Sequence, residues 1–237
     1  MLILALDTSG DVCSVALTED AALRGVIAFR HERRLGERLP RALQFLLADA
    51  AVTLAAVDLL AVGRGPGSFT GVRVGVTMAK TLAQTLDKPL VGVSSLRAIA
   101  FPLMAAAGPG ALVVAVTPAR RGVVVAAAFP GGGDEAAGPD VVAVEDVALW
   151  ASRVAARPNA SSGADRLIVC GEASVAPLGE IIAPAGGVFG GGVIAVDAAP
   201  SAAVVARLAY ERVVIRGGAP DDCFTLTPLY VAPTPVG

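Results

Sequence analysis

The residues best suited to chemistry lie in one long run, Gly63-Arg64-Gly65-Pro66-Gly67-Ser68-Phe69-Thr70-Gly71-Val72-Arg73-Val74-Gly75, and in one short turn, Asp7-Thr8-Ser9. In the run, glycines and a proline fix an unusual backbone between a strand and a helix. Thr70 is placed to cap that helix, and the N–H groups at its start are suited to an anion. The run is not a P-loop, because the Gly-Lys-Ser/Thr ending is missing, and it departs from G-x-G-x-x-G because position 70 is threonine. On mechanics alone it serves equally as an anion-binding loop or as a rigid structural turn. The Asp7 turn carries the same ambiguity: its side chains face a phosphate or metal, or they satisfy the turn's own backbone amides. The candidate anion or nucleotide contacts are therefore Asp7, Thr8, Ser9, Gly67, Ser68 and Thr70.

Other chemistry has less support. His31 is the only histidine, so an H-E-x-x-H zinc site is excluded, and a nucleophile triad built on Ser9, Ser68 or Cys13 has no well-placed base. We expect no metal site and no catalytic constellation, with His31 a solvated polar position. Cys13, Cys170 and Cys223 are far apart and lack C-x-x-C spacing, which reads as reduced structural thiols. A net charge of -2 disfavours strong direct binding to RNA, which relies on an excess of basic residues. Hydrophobic residues make up 54% of the chain and aromatics 4%, so the core must be built from Ala, Val and Leu. No basic leader precedes Leu2-Ile3-Leu4-Ala5-Leu6, and that apolar run is too short for a signal or a membrane span. A cytoplasmic protein is expected.

Positioning these residues requires a definite order of elements. Residues 2–6, 12–17 and 23–29 read as an antiparallel meander. From Glu37, Leu39, Ala42, Leu43, Leu46 and Ala50 recur at helical spacing, with Pro40 in the first turn. A strand over 59–63, a helix over 71–86, a strand over 90–93 and a helix toward Ala106, capped by Ser94 or Ser95, complete a β-β-β-α-β-α-β-α unit. Gly108-Pro109-Gly110 breaks the chain, and the pattern restarts with strands over 112–116 and 123–129 around a turn at Thr117 to Gly122. A glycine-rich turn over 131–138, a strand over 141–144, a helix over 145–155, a strand over 167–170 and a helix over 201–215 follow. This divides the chain into an N-terminal lobe, 1–108, and a reduced C-terminal lobe, 109–237.

The duplicated order is that of the two-lobed actin, sugar-kinase and Hsp70 superfamily, an α/β fold in which nucleotide phosphates lie between two strand-turn-strand loops. Fold alone assigns no activity. The second-lobe turn, Thr117-Pro118-Ala119-Arg120-Arg121-Gly122, has no acidic residue, which argues against a working ATPase. On the helix over 71–86, Val72, Val76, Ala79, Ala83 and Leu86 form one apolar stripe, and Val74, Met78 and Leu82 another. Gly71, Gly75 and Ala79 recur every fourth residue and permit close approach of another backbone. Taken alone, this describes a helix buried within its own domain.

Leu4-Ala5-Leu6-Asp7-Thr8-Ser9, the run Gly65 to Gly75, and Val93-Ser94-Ser95-Leu96 together resemble the TsaB/YeaZ family. His31, Leu39 and Pro40 before a Leu-rich helix, and Pro228-Leu229-Tyr230 near the end, agree with the family's pattern. The resemblance is strong over residues 1 to about 100 and weak beyond. It implies the two-lobed fold and a non-catalytic accessory subunit for threonylcarbamoyladenosine formation at adenosine 37 of tRNA. It also implies binding of a TsaD-type transferase through the N-terminal lobe, with a TsaE-type ATPase joining, a homodimer when alone, and tRNA met only through the complex. No cofactor is implied beyond weak nucleotide binding. Because the family pairs through helices of this lobe, the resemblance turns the double-faced helix toward an interface formed by Leu39, Leu43, Leu46, Val72, Gly75, Met78, Ala79 and Leu82. The rival is a small-molecule or sugar kinase holding ATP with Asp7 and the glycine run. One departure stands out: where the family's second-lobe turn reads Asp-Ala-Arg-x-Gly-Glu-Val-Tyr, this chain has Pro118-Ala119-Arg120-Arg121-Gly122-Val123-Val124-Val125.

Overall fold

The opening strand β1 (Leu2–Asp7) is buried from Ile3 onward, so it needs cover on both faces. In the computed structural model, which describes residues 1–30, 32–131, 133, 136–157, 164–172 and 189–231, that cover comes from both ends of the chain. Two compact units form, and the first joins Met1–Ala98 to Pro200–Leu229. His31 and part of the glycine-rich turn over 131–138 lie outside the described residues.

In the first unit, β1, β2 (Val12–Glu19) and β3 (Ala22–Arg30) form the expected antiparallel meander. Helix α1 (Leu35–Asp49), β4 (Leu59–Gly63), α2 (Phe69–Leu86) and β5 (Leu90–Val93) follow. The sheet order is β3-β2-β1-β4-β5, with β4 parallel to both β1 and β5. Leu4 and Leu6 of β1 and Val15 and Leu17 of β2 pack with Leu39, Leu43, Val72 and Val76 of the two helices. Helix α1 starts two residues earlier than its apolar period suggests, so Pro40 sits inside the helix rather than in its first turn. It has no N–H to offer the carbonyl of Gly36, and Gly36 is exposed to water.

Helix α3 (Ser95–Ala107) carries the chain into the second unit, where β6 (Ala111–Arg120), β7 (Val123–Pro130), β8 (Ala137–Ala143), α4 (Val147–Ala155), β9 (Arg166–Gly171) and β10 (Gly192–Asp197) are found. Their order, β10-β9-β6-β7-β8, with β6 antiparallel to β7 and parallel to β9, repeats that of the first sheet. The α/β fold is therefore a duplication, and it is actin/sugar-kinase/Hsp70-like. Strand β10 escaped the sequence reading, and β6 runs on through the residues expected to form a turn.

The helix expected over 201–215 forms as α5 (Ala202–Tyr210), continued by a π-helical turn over Glu211–Ile215. It packs on β1, β2 and β4 of the first sheet. Ser14 of β2 supplies its N-terminal cap, accepting from the Ala202 N–H at 2.9 Å. Strand alternation puts Ser14 on the face opposite Val15, so α5 covers the side that α1 and α2 leave open. The contiguous boundary 1–108/109–237 thus differs from the observed packing.

After α5 the chain runs along the edge of β5. Asp221 donates its N–H to the Leu90 carbonyl at 2.8 Å, and its carboxylate accepts from the Gly92 N–H at 2.7 Å and from both Arg212 amino groups at 2.8 and 2.9 Å. Lys80 of α2 holds the carbonyls of Phe224 and Leu226 at 3.1 and 3.0 Å. Burial alone would raise the Asp221 carboxyl, but Arg212 and the Gly92 N–H, aided by Arg64, hold it below 3.8. A depressed carboxylate contributes stability at neutral pH that is lost as pH falls through the folded value. Asp221→Asn is expected to cost about 1 kcal/mol at pH 7, since the Arg212 side chain is 41% exposed and screened. Urea titrations should show the difference from the parent vanishing below pH 3.8.

Candidate functional site

Four glycines of the long run, Gly63, Gly67, Gly71 and Gly75, fall at four-residue intervals, and all four press against Asp7-Thr8-Ser9. A β-carbon on Gly63 would lie 1.7 Å from the Asp7 carboxylate, and on Gly67 2.3 Å from the Ser9 carbonyl. On Gly71 it would lie 2.1 Å from the Thr8 carbonyl, and on Gly75 2.2 Å from Thr8 Oγ1. The glycines admit the β1–β2 turn, and hydrogen bonds then fix it. Thr8 Oγ1 donates to the Gly71 carbonyl at 2.7 Å, and the Ser68 N–H donates to the Ser9 carbonyl at 2.7 Å. The close approach inferred for Gly71, Gly75 and Ala79 exists, but for the glycines its partner is this turn. Gly65, at φ +88°, takes a left-handed conformation that side chains rarely adopt.

Asp7 has no exposed surface. Its Oδ1 accepts from the Ser9 N–H at 2.9 Å and the Ser9 hydroxyl at 2.6 Å, and its Oδ2 accepts from the Ser95 hydroxyl at 2.8 Å. Ser95 Oγ in turn accepts from the Gly65 N–H at 3.1 Å, so one carboxylate ties β1, the glycine loop and the start of α3 together. Burial pushes the Asp7 carboxyl above its ordinary value, opposed by the bonds from Ser9 and Ser95. Thr8 is equally hidden and Ser9 nearly so. Of the six proposed anion contacts, these three are turned into the fold, whereas Gly67 is half-buried and Ser68 and Thr70 are exposed at the start of α2. The two groups do not share one open cleft. The cap of α2 is Ser68, whose hydroxyl accepts from the Gly71 N–H at 3.2 Å, and not Thr70. Cys13 and Cys170 are buried, and burial pushes the Cys170 thiol up to about 12.

Most of the proposed interface residues also turn inward. Leu39, Leu43, Leu46, Val72, Gly75 and Ala79 are buried in the first unit's own core, so they are corrected from surface to core. Met78 and Leu82 are half-buried with Val74 and pack against the edge of the same core, which makes the second stripe of α2 its part-exposed one. Beside it, a groove of about 330 Å³ opens between α1 and α2, lined by Pro40, Arg73, Val74, Thr77 and Met78 among others. Phe69, 58% exposed, lies 5.2 Å from the Arg73 guanidinium, and Phe45 on α1 is 66% exposed. The sequence reading missed Phe45 and Phe69; an aromatic off the Leu39-Leu43-Leu46 stripe was the available signal. Among the described residues, no helix is long and apolar enough to cross a membrane.

The repeated sheet and the buried Asp7 turn place the chain in the actin/sugar-kinase/Hsp70-like class. The sequence model of the family described as TsaD, tRNA N6-adenosine threonylcarbamoyltransferase, matches residues 12–171. The tRNA threonylcarbamoyladenosine biosynthesis protein TsaB of Escherichia coli (strain K12) is 40% identical over 100 residues, 42% of this chain and 43% of that protein. TsaB of Haemophilus influenzae is 44% identical over 103 residues, 42% of each chain. The chain thus matches less than half the length of these curated relatives. The solved structure of YeaZ from Pseudomonas aeruginosa superposes with a TM-score of 0.72 at 25% identity, covering 97% of this chain and 100% of that one. The chain belongs to the family described as TsaD, tRNA N6-adenosine threonylcarbamoyltransferase, and is similar to the TsaB and YeaZ proteins.

Proposed function

We propose that this chain is a non-catalytic subunit for N6-threonylcarbamoyladenosine formation in tRNA, and that it binds and activates a TsaD-type transferase through the α1–α2 face. The observation that carries this reading is the part-exposed stripe Val74, Met78 and Leu82 beside an apolar groove, which offers a partner helix a seat without unfolding the core. A TsaE-type ATPase joins the same assembly, and two copies pair through this face when the transferase is absent. The kinase alternative is disfavoured because Asp7, its proposed ATP ligand, is buried and already hydrogen-bonded.

Reconstitution of tRNA modification from purified components is the direct test, with product expected only when this chain is present. Undiminished product on omitting the chain would sink the proposal. Met78→Glu should abolish co-purification with the transferase while leaving the thermal midpoint nearly unchanged, since Met78 is half-exposed.

A further inference from the structure

The duplication supplies an internal comparison. In each unit a groove opens between the third strand of the sheet and the first helix after it, and in each it is rich in arginine. In the first unit two of the groove's three arginines, Arg34 and Arg38, are engaged at home, and Arg41 is the third. Arg38 stacks at 5.0 Å over the Phe29 ring, donates to the Arg30 carbonyl and pairs with Glu32 at 3.5 Å, while Arg34 pairs with Glu37 at 2.8 Å. The corresponding groove of the second unit, about 750 Å³ between β8 and α4, holds Arg120, Arg153 and Arg157. Among the described residues, none of the three guanidinium groups makes an ion pair or a hydrogen bond, and Asp140 and Asp146 line the same groove.

The same groove holds Trp150, half-buried, with its indole N–H donated to Asp140 at 3.1 Å. That bond fixes the plane of the ring. Trp150, Arg153 and Arg157 follow at spacings of three and four residues, so they lie along one side of α4 and its C-terminal turn. A fixed aromatic plane flanked by unpaired guanidinium groups combines the two features that bind single-stranded nucleic acid, base stacking and bidentate phosphate contact. An acidic protein segment would use the arginines but has no need of the ring.

We infer that the β8–α4 groove is a contact site for single-stranded RNA, with a base on Trp150 and backbone phosphates on Arg120, Arg153 and Arg157. The site adds a direct RNA contact to a chain whose net charge of -2 precludes strong general binding. Its weight is felt within an assembly, where a weak second contact multiplies affinity. The inference stands on the groove's own side chains and not on pairing with a transferase.

Trp150 is the only tryptophan, so its fluorescence reports the groove directly. Titration of the full chain with a short oligouridylate at about 50 mM salt should give saturable quenching that weakens steeply toward about 200 mM. The double substitution Arg153→Glu/Arg157→Glu should weaken binding about tenfold or more, whereas Arg41→Glu in the first-unit groove should not change it. Arg120→Glu repeats the test from a different element should the double variant unfold. Absence of saturable quenching, equal binding by the folded groove variants, or equal quenching by oligoglutamate would overturn the assignment. The last result would give the groove to an acidic protein segment. Failure here leaves reconstitution unaffected, and failure of reconstitution leaves the fluorescence titration standing.

Discussion

Gly71→Ala is expected to lower stability by about 3 kcal/mol, and Thr8→Ala is expected not to relieve it. The new methyl group would sit 2.1 Å from the Thr8 backbone carbonyl, which no side-chain change can move. Gly75→Ala differs in kind, because its clash, at 2.2 Å, is with Thr8 Oγ1. Combined with Thr8→Ala it should recover about 1 kcal/mol, although the Gly71 carbonyl then loses its hydroxyl donor. A double-mutant cycle in urea separates the two cases. Equal coupling of Thr8→Ala to both glycine changes would show that α2 shifts as a body, contrary to the contacts described.

The second large effect concerns Asp7. Asp7→Ala would leave the Ser9 N–H and the hydroxyls of Ser9 and Ser95 without their acceptor in a site with no exposed surface. A loss of about 3 kcal/mol is expected, partly offset by removing a carboxylate that burial disfavours. Asp7→Asn keeps the shape and removes the titration. Because burial raises the Asp7 carboxyl above 3.8, there is an interval above that pH in which the folded protein holds a proton the unfolded chain has released. Stability therefore falls as pH rises through this interval. Urea midpoints of the parent and Asp7→Asn, measured upward from pH 3.8, should diverge in that sense, and parallel curves would contradict it. The Asp221 effect has the opposite sign, since its stability is lost as pH falls.

These residues also mark what the sequence makes legible. The meander, the order of strands and helices through β5, and the restart after Gly108 follow from apolar period and glycine punctuation, which are local signals. Leu39, Leu43 and Leu46 show why the interface was harder to read: an apolar stripe at helical spacing looks the same whether a sheet or a partner covers it. Only tertiary packing distinguishes them, and here it put Val72, Gly75 and Ala79 fully inside and left Val74, Met78 and Leu82 part-exposed at the core's edge. The sequence points to Thr70 as the cap of α2, but the helix starts earlier, and it is the Ser68 hydroxyl that reaches the Gly71 N–H. Strand β10 is largely exposed and preceded by glycines, so it carries little pattern. The return of α5 to the first sheet has no local signature at all, since the cap that receives it, Ser14, lies 188 residues upstream.

That return bears on how the protein is made. Synthesis delivers β1 to β5 first, yet one face of their sheet waits for α5 and the edge of β5 waits for Asp221 to Leu229. Until the ribosome has released those residues, the nascent first unit presents an uncovered apolar face and an unpaired strand edge, the features that invite aggregation. The second unit, interposed in sequence, can complete its own sheet before the first is closed. Helices α1 and α2 thus rest on a unit that closes only once the segment from Pro200 to Leu229 has been added.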